Sequence, residues 1–459
     1  MQYISTRGGV PAISFREAML AGLASDGGLY VPESVPQLSP QEIASLGGLS
    51  YQELALRILT PFVGDSFSKP ELKHMIDAAY ATFRHSAIAP LVQLERNHFV
   101  LELFHGPTLA FKDFALQLLG QLMETALKDA NQKSVVLGAT SGDTGSAAIA
   151  GLRGREGIDI VILYPEGRTS DVQRRQMTTI ADANVHALAV KGTFDDCQDL
   201  VKGLFSDAAY RRGVNLLAVN SINFARVLAQ VVYYFYAALS LGAPARRVSF
   251  SVPTGNFGDI YAGYIAQQMG LPIDRLIIAS NRNDILARCV ATGDYKMAGV
   301  NPSLSPSMDI EISSNFERLL FDLYNRDGAQ LAQRMSEFRS SKSLTLPSAA
   351  HATFTSLFSA HAVDDATTLA TIKETYHATG YLLDPHTAVG VQTAWQFAGS
   401  TPIVTLATAH PAKFPDAVKQ ATGLSPALPV HMADLFAQQE RITPLAANAE
   451  ALKQFIGAL

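Results

Sequence analysis

Ser134-Val-Val-Leu-Gly-Ala-Thr-Ser-Gly-Asp-Thr-Gly-Ser146 joins a short apolar run to a turn rich in glycine and hydroxyls, and the small-residue segment Ala147 to Leu152 follows it. The run reads as a strand and the segment after it as a helix. Glycine lets the backbone turn tightly with its N–H groups exposed, and Ser and Thr add donors at the helix start, so the turn can bind an anion. No Gly-Lys-Ser/Thr closes it as in a P-loop, and its glycines do not match the dinucleotide fingerprint. Alone, it reads as a tight strand-to-helix turn.

A second such unit changes the balance. Val248-Ser-Phe-Ser-Val-Pro-Thr254 reads as a strand, runs into Gly255-Asn-Phe-Gly-Asp259, and is followed by a helical pattern from Ile260 to Met269. Between the two units lie strand-like Ile158 to Tyr164 and Val185 to Val190, and helical Asp171 to Ala181 and Phe194 to Phe205. Alternating strand and helix predicts an α/β protein with mostly parallel sheets, whose ligands bind at the carboxyl ends of the strands. A third loop, Asn220-Ser-Ile-Asn-Phe-Ala-Arg226, follows the apolar run Val214 to Val219 and opens a helix carrying Val227, Leu228, Val231 and Phe235. Arg226 there can be a surface residue or a bidentate phosphate grip.

Lys112 stands at the end of His105-Gly-Pro-Thr-Leu-Ala-Phe-Lys-Asp113, directly before a patterned helix. Phe114, Ala115, Leu118, Leu119, Leu122, Met123, Ala126 and Leu127 form one helical face, and Lys112 lies off it. A positive charge at a helix start opposes the dipole by about 0.3–1 kcal/mol. The placement therefore calls for a partner anion or a neutral, reacting amine.

These loops, in this order, resemble pyridoxal-phosphate enzymes of the tryptophan synthase β type (fold type II), and within them the bacterial and fungal threonine synthase family. The likeness also takes in Tyr3-Ile-Ser-Thr-Arg-Gly8, Gly22-Leu-Ala-Ser-Asp-Gly-Gly-Leu29, Asp384-Pro-His-Thr-Ala-Val-Gly390 and Ala407-Thr-Ala-His-Pro-Ala-Lys413, and so runs most of the chain. It implies two mostly parallel three-layer α/β lobes behind a helical N-terminal domain. It also implies pyridoxal 5'-phosphate as cofactor, with Lys112 as the lysine that carries it covalently. Gly255, Asn256, Phe257, Gly258 and Asp259 match the loop that cradles the cofactor phosphate, and Thr408 the hydroxyl at the pyridine nitrogen. A neutral hydroxyl there makes a weaker electron sink than a carboxylate, suited to elimination and replacement. Asp143 stands where many relatives have an Asn that touches the cofactor's ring hydroxyl.

The implied substrate is O-phosphohomoserine, with its carboxylate on Thr140, Ser141 and their loop, and its phosphate on Thr144, Ser221, Asn223 and Arg226. Lys112 must be neutral to react, although an unperturbed lysine has a pKa of about 10.4; desolvation and a helix end would favour the free amine. Released by the substrate, it would act as general base at Cα and then Cβ, letting phosphate leave from Cγ before water adds at Cβ. Late admission of water predicts domain closure. The rivals are a phospho-lyase giving 2-oxobutyrate, a serine or threonine dehydratase, which would leave Arg226 without a phosphate, and a non-catalytic phosphometabolite sensor, which would leave Lys112 unexplained.

The chain of 459 residues is long enough for two or three domains, expected at 1–88, 89–245 and 246–459. Basic minus acidic residues give 36 − 41 = −5, with no basic tract for nucleic acid. Cys197 and Cys289 lack metal spacing and are expected to be reduced thiols. The start Met1 to Arg7 lacks an apolar signal core and no segment reaches about 18 apolar residues, so a cytoplasmic protein without a membrane partner is expected; the family branch implies a monomer. His351, His361, His377, His386 and His410 show no zinc spacing. His386 and His410, in family motifs, are read as supporting residues, and His105 and Asp113 as positioning residues. Tyr233-Tyr-Phe-Tyr236 is read as a helix packed on a sheet, Lys413 as a solvated lysine in preference to an active-site cation, and Ser340 to Ala350 as a mobile connection.

Overall fold

Five strands align in the order Thr443–Leu445, Val185–Val190, Ile158–Pro165, Ser134–Ala139 and Leu216–Ala218 in a computed structural model that describes residues 1–459. Every pairing in this sheet is parallel. A second sheet of six strands runs Phe358–Ala362, Ile273–Ser280, Val248–Pro253, Ile403–Ala407, His98–Glu102 and Leu91–Glu95. Only its edge hairpin, Leu91–Glu95 with His98–Glu102, is antiparallel. Helices cover both faces of such sheets, which is why Val248–Pro253 is buried along its whole length and reads as a continuous run rather than an alternation.

The lobes expected at 89–245 and 246–459 do not each own a sheet. Both spans contribute strands to both sheets. The hairpin at 91–102 pairs with Ile403–Ala407 of the six-stranded sheet, and Thr443–Leu445 returns to edge the five-stranded one. Backbone pairing between distant segments decides this, and local patterning carries no trace of it.

The N-terminal residues form four helices, Phe15–Ala21, Pro40–Ser45, Tyr51–Val63 and Lys69–Tyr80, beside an antiparallel sheet of Gln2–Ser5, Ile13–Ser14 and Tyr30–Pro32. Each helix opens with a Ser whose hydroxyl accepts from the third helical N–H while the Glu there reaches back: Ser14 with Glu17, Ser39 with Glu42, Ser50 with Glu53, Ser68 with Glu71. This reciprocal box satisfies two otherwise orphaned donors per helix. One apolar core runs from these helices into both sheets, through Phe62, Phe114, Val136, Phe235 and Phe250.

Expected strands fall close to place: Val185–Val190 matches its expected bounds, and Val214 to Val219 shortens to Leu216–Ala218. Ser340 to Ala350 is ordered rather than mobile. It holds the end of helix Gly328–Ser341, the strand Ser343–Thr345 paired with Asp294–Lys296, and the start of helix Ser348–Leu357. Leu344, Leu346 and Ala350 are buried there, and these few apolar anchors outweigh the serine-rich composition. Tyr234 packs edge-on against Phe250 of the six-stranded sheet at 4.7 Å, as a sheet-packed helix requires. No helix is long and apolar enough to cross a membrane.

Helices Lys112–Asp129 and Asp143–Leu152 touch through glycine. A Cβ on Gly120 would lie 2.1 Å from the carbonyl oxygen of Gly151, and one on Gly151 would lie 2.3 Å from that of Leu116. Backbone cannot rotate away, so a methyl must part the helices. Gly120→Ala is expected to lower stability by about 1–3 kcal/mol, seen as reduced midpoints in thermal and urea unfolding; unchanged midpoints would show that the helices separate freely.

Candidate active site

The loops that follow Ser134–Ala139, Leu216–Ala218, Val248–Pro253 and Ile403–Ala407 meet at one cavity, at the carboxyl ends of the strands. Lys112, the first residue of its helix, is held in the wall by the backbone before it. Phe111 N donates to Thr408 O at 2.9 Å, and Ala110 bridges to Ala409. Asp113 clamps the preceding loop: its carboxylate accepts from Thr108 N at 2.8 Å and Thr108 Oγ1 at 2.7 Å. Gly106 is required by this clamp, since a Cβ there would fall 2.5 Å from that of Asp113. Asp113, in the first turn of the helix, thus ties the loop that precedes the lysine. Burial pushes its carboxyl up to about 6 against those hydrogen bonds.

Lys112 is buried and its Nζ lies 3.3 Å from Asp143 Oδ2. Burial lowers the pKa of the amine, Asp143 opposes that, and Lys413 reinforces it. Asp143 itself receives Lys413 Nζ at 2.9 Å, Gln173 Nε2 at 2.8 Å and Ser307 Oγ at 3.0 Å. Burial works against its charge, but Lys413 and Lys112 outweigh burial and hold the carboxyl well below its ordinary range. Lys413, expected in solvent, is wholly buried: it also donates to Thr108 O at 2.7 Å and Gln176 Oε1 at 3.2 Å.

The glycine loop at 255–259 is gripped from behind. Ser313 Oγ donates to Gly255 O at 2.7 Å, and Asn315 donates through its N and Nδ2 to Asn256 O, both at 3.0 Å. Its carbonyls are thus occupied on the far side, while Phe257, left-handed at φ 64°, starts helix Gly258–Gln268 with no side chain capping its N–H groups. Uncapped N–H groups at a helix start form an anion site. A Cβ on Gly255 would meet Ser307 O at 3.1 Å, so the loop and the segment holding Ser307 need that close approach.

Arg226 is 3 % exposed, and its Nε and Nη1 have no partner; burial pushes the guanidinium down to about 10. Buried donors without acceptors mark a place for an anion. Gln230, one turn on, has an unpartnered Oε1 in the same wall. Asp259 receives Tyr233 OH at 2.6 Å and Tyr234 OH at 3.0 Å on Oδ1, and its Oδ2 is unpartnered. His386 bonds Asp384 Oδ1 through Nδ1 at 2.9 Å and accepts Ser307 N at Nε2, at 3.2 Å, which fits the Nδ1–H tautomer.

Of the residues singled out in the sequence, Lys112, Asp143, Thr144, Ser221, Arg226, Gly255, Asn256, Phe257, Gly258, Asp259 and Thr408 share this cavity. Thr140 shapes its own loop instead, its Oγ1 accepting from Gly142 N and Gly145 N at 2.9 Å each, and Ser141 is exposed on that loop. Asn223 has a different task from the one expected. It caps helix Phe224–Ser240 by accepting from Ala225 N at 3.1 Å and ties it to Met19 O at 2.7 Å, and it does not line the cavity. Ser307 and Met308 were not foreseen, because they lie in an irregular segment whose only signal is its fold; Lys413 stands in a quoted motif whose burial the sequence does not show.

An amine in the wall, an anion cradle of uncapped N–H groups and a buried hydroxyl at Thr408 fit pyridoxal phosphate. Residues 83–352 match the family of pyridoxal-phosphate dependent enzymes, and together with two mostly parallel sheets they place the chain among the fold type II members of that class. Residues 2–80 match the threonine synthase N terminus and residues 387–456 the threonine synthase C-terminal region. Threonine synthase of Pseudomonas aeruginosa is 54% identical, over 99% of this chain and 98% of that protein. That of Schizosaccharomyces pombe is 45% identical over 92% and 89%. The crystal structure of PLP-bound threonine synthase from Brucella melitensis is similar at a TM-score of 0.98 and 53% identity, over 99% of this chain and 98% of that one. The chain belongs to the threonine synthase family.

Burial raises the Asp259 carboxyl from 3.8 to about 6, with Tyr233 and Tyr234 opposing. The folded state therefore favours the neutral acid, and that stabilisation is complete below pH 3.8 and lost as pH rises through about 6. Asp259→Asn keeps an acceptor for both tyrosines and does not ionise. In cofactor-free protein, its unfolding midpoint relative to wild type is expected to rise across that interval; a flat difference would refute the shift.

Proposed function

We propose that this chain converts O-phospho-L-homoserine and water to L-threonine and phosphate, the last step of threonine biosynthesis, as a cytoplasmic monomer. The observation that carries the choice of substrate is buried Arg226, with two unpartnered nitrogens beside a separate anion cradle at 255–259. A site with room for one cofactor phosphate and a further buried cation suits a substrate that brings a phosphate of its own. Two buried reduced thiols, Cys197 and Cys289, accord with the cytoplasm.

In this reading the loop Gly255 to Asp259 holds the cofactor phosphate, Lys112 carries the cofactor, and Thr408 serves the ring nitrogen. Bound pyridoxal phosphate supplies an electron sink that lets protons leave Cα and Cβ and phosphate leave Cγ. Arg226, Ser221 and Thr144 take the substrate phosphate. Ser141 and the N–H groups of its loop take the carboxylate, with Thr140 fixing the loop's shape. Once free, Lys112 Nζ would take the proton from Cα, pass it back to the cofactor-bound substrate, and as a neutral amine again take the proton from Cβ, with Asp143 Oδ2 beside it to stabilise the ammonium at each stage. His386, oriented by Asp384, keeps Ser307 and hence Asp143 in place.

Borohydride reduction followed by peptide mapping is expected to find the cofactor on Lys112, and Lys112→Ala to abolish both attachment and turnover; label elsewhere would overturn the assignment. Arg226→Gln removes a charge-assisted contact of about 1.5–3 kcal/mol, on the order of 10- to 100-fold in kcat/KM for the phosphorylated substrate. Threonine should match released phosphate. A predominance of 2-oxobutyrate would make the chain a phospho-lyase.

A further inference from the structure

Lys413 and Lys112 reach one carboxylate from two oxygens: Lys413 Nζ is 2.9 Å from Asp143 Oδ1 and Lys112 Nζ is 3.3 Å from Asp143 Oδ2. Their surroundings are unequal. Lys413 is wholly buried, donates to Thr108 O at 2.7 Å and Gln176 Oε1 at 3.2 Å, and forms an ion pair with Asp143 Oδ1. Lys112 has Asp143 as its single hydrogen-bond partner and otherwise opens on the cavity.

The charge count points the same way. Lys112, Lys413 and Arg226 face Asp143 and Asp259, and on the far side of Lys413 lies Asp113, already committed to Thr108. His386 stands in the cavity wall with its Nδ1 on Asp384. One buried carboxylate compensates one ammonium well, and a second ammonium sharing it is under-compensated and desolvated. Lys413 has two further acceptors beside the shared carboxylate and Lys112 has none, so Lys112 is the under-compensated amine.

We propose that Lys413 is a positioning residue for the reaction: it takes Asp143 as its own counter-ion and so leaves Lys112 as the neutral, reactive amine. The same side chain joins the Lys112 loop at Thr108, the helix Asp171–Thr178 at Gln176 and the glycine turn at Asp143, so charge and placement are set together. Lys112 is shifted downward in the direction this requires. The inference rests on the reading of Lys112 as the cofactor-bearing lysine.

The test measures the ionisation of Lys112 in the full chain freed of cofactor, by pulse acetylation across pH with the Lys112 peptide quantified by mass spectrometry. Lys413→Met leaves Asp143 to Lys112 alone, and the midpoint of Lys112 labelling is expected to rise by about one pH unit, roughly a tenfold loss of labelling below it. In Asp143→Asn/Lys413→Met neither charge remains, and the midpoint is expected to fall back to the wild-type value or below. A wild-type midpoint in folded Lys413→Met, or a double variant as high as the single one, overturns the proposal. If Lys413→Met does not fold, Asp143→Asn is compared with the double variant, which differs from it at Lys413 alone. A lower midpoint in Asp143→Asn, from an uncompensated neighbouring cation, supports the proposal, and equal midpoints overturn it. Borohydride mapping in wild type reports separately on whether Lys112 bears the cofactor, so the two failures are distinguishable.

Discussion

The parallel pairing of His98–Glu102 with Ile403–Ala407 is the constraint from which the site follows. Its register sets Glu102 opposite Ala407 and Leu103 N bonds Ala407 O; after the chain turns, the antiparallel Ala110–Ala409 bridge and Phe111 N to Thr408 O bring it back to the same segment. Backbone hydrogen bonds thus hold Lys112 beside Thr408, which lies far along the chain from it. The nine residues His105 to Asp113 read as a device for ending that pairing at a lysine: Gly106 permits the approach to Asp113, and the Asp113 carboxylate fixes the turn that the lysine leaves.

The chain as a whole carries −5, yet its cavity places Lys112, Lys413 and Arg226 around Asp143 and Asp259. A negative molecule can recruit negative ligands only through such a local excess, held where water screens little. Burial is the first cause that lowers the Lys112 amine, and Lys413 adds to it against Asp143.

The N-terminal domain joins this site from behind. Thr6 and Arg7 both bond Glu317, at 2.8 Å from Thr6 Oγ1 and 2.8 and 2.9 Å from the guanidinium. Arg318, wholly buried, bonds Tyr30 O, Ile222 O and Asn315 Oδ1. Asn315 in turn holds Asn256 O and Ser221 O. The first strands of the chain, the loop before Arg226 and the phosphate cradle are thereby parts of one buried polar network, whose members each satisfy the others' donors and acceptors.

Local pattern was enough to foretell the alternation of strand and helix, the loop at 255–259, and Lys112 at a helix start, because each is a matter of period, glycine placement and hydroxyls within a few residues of one another. Motif order foretold the family. What the sequence could not show was which segments share a sheet, that Asn223 spends its side chain as a cap, that Ser307 reaches Asp143 from a remote segment with His386 behind it, and that Lys413 is buried. Those depend on contacts between residues far apart in the chain, where register and burial rather than local composition decide the neighbours. The amine and its loop were written locally; its burial, and the second lysine on the same carboxylate, were decided by the tertiary structure, which alone brings these remote segments together.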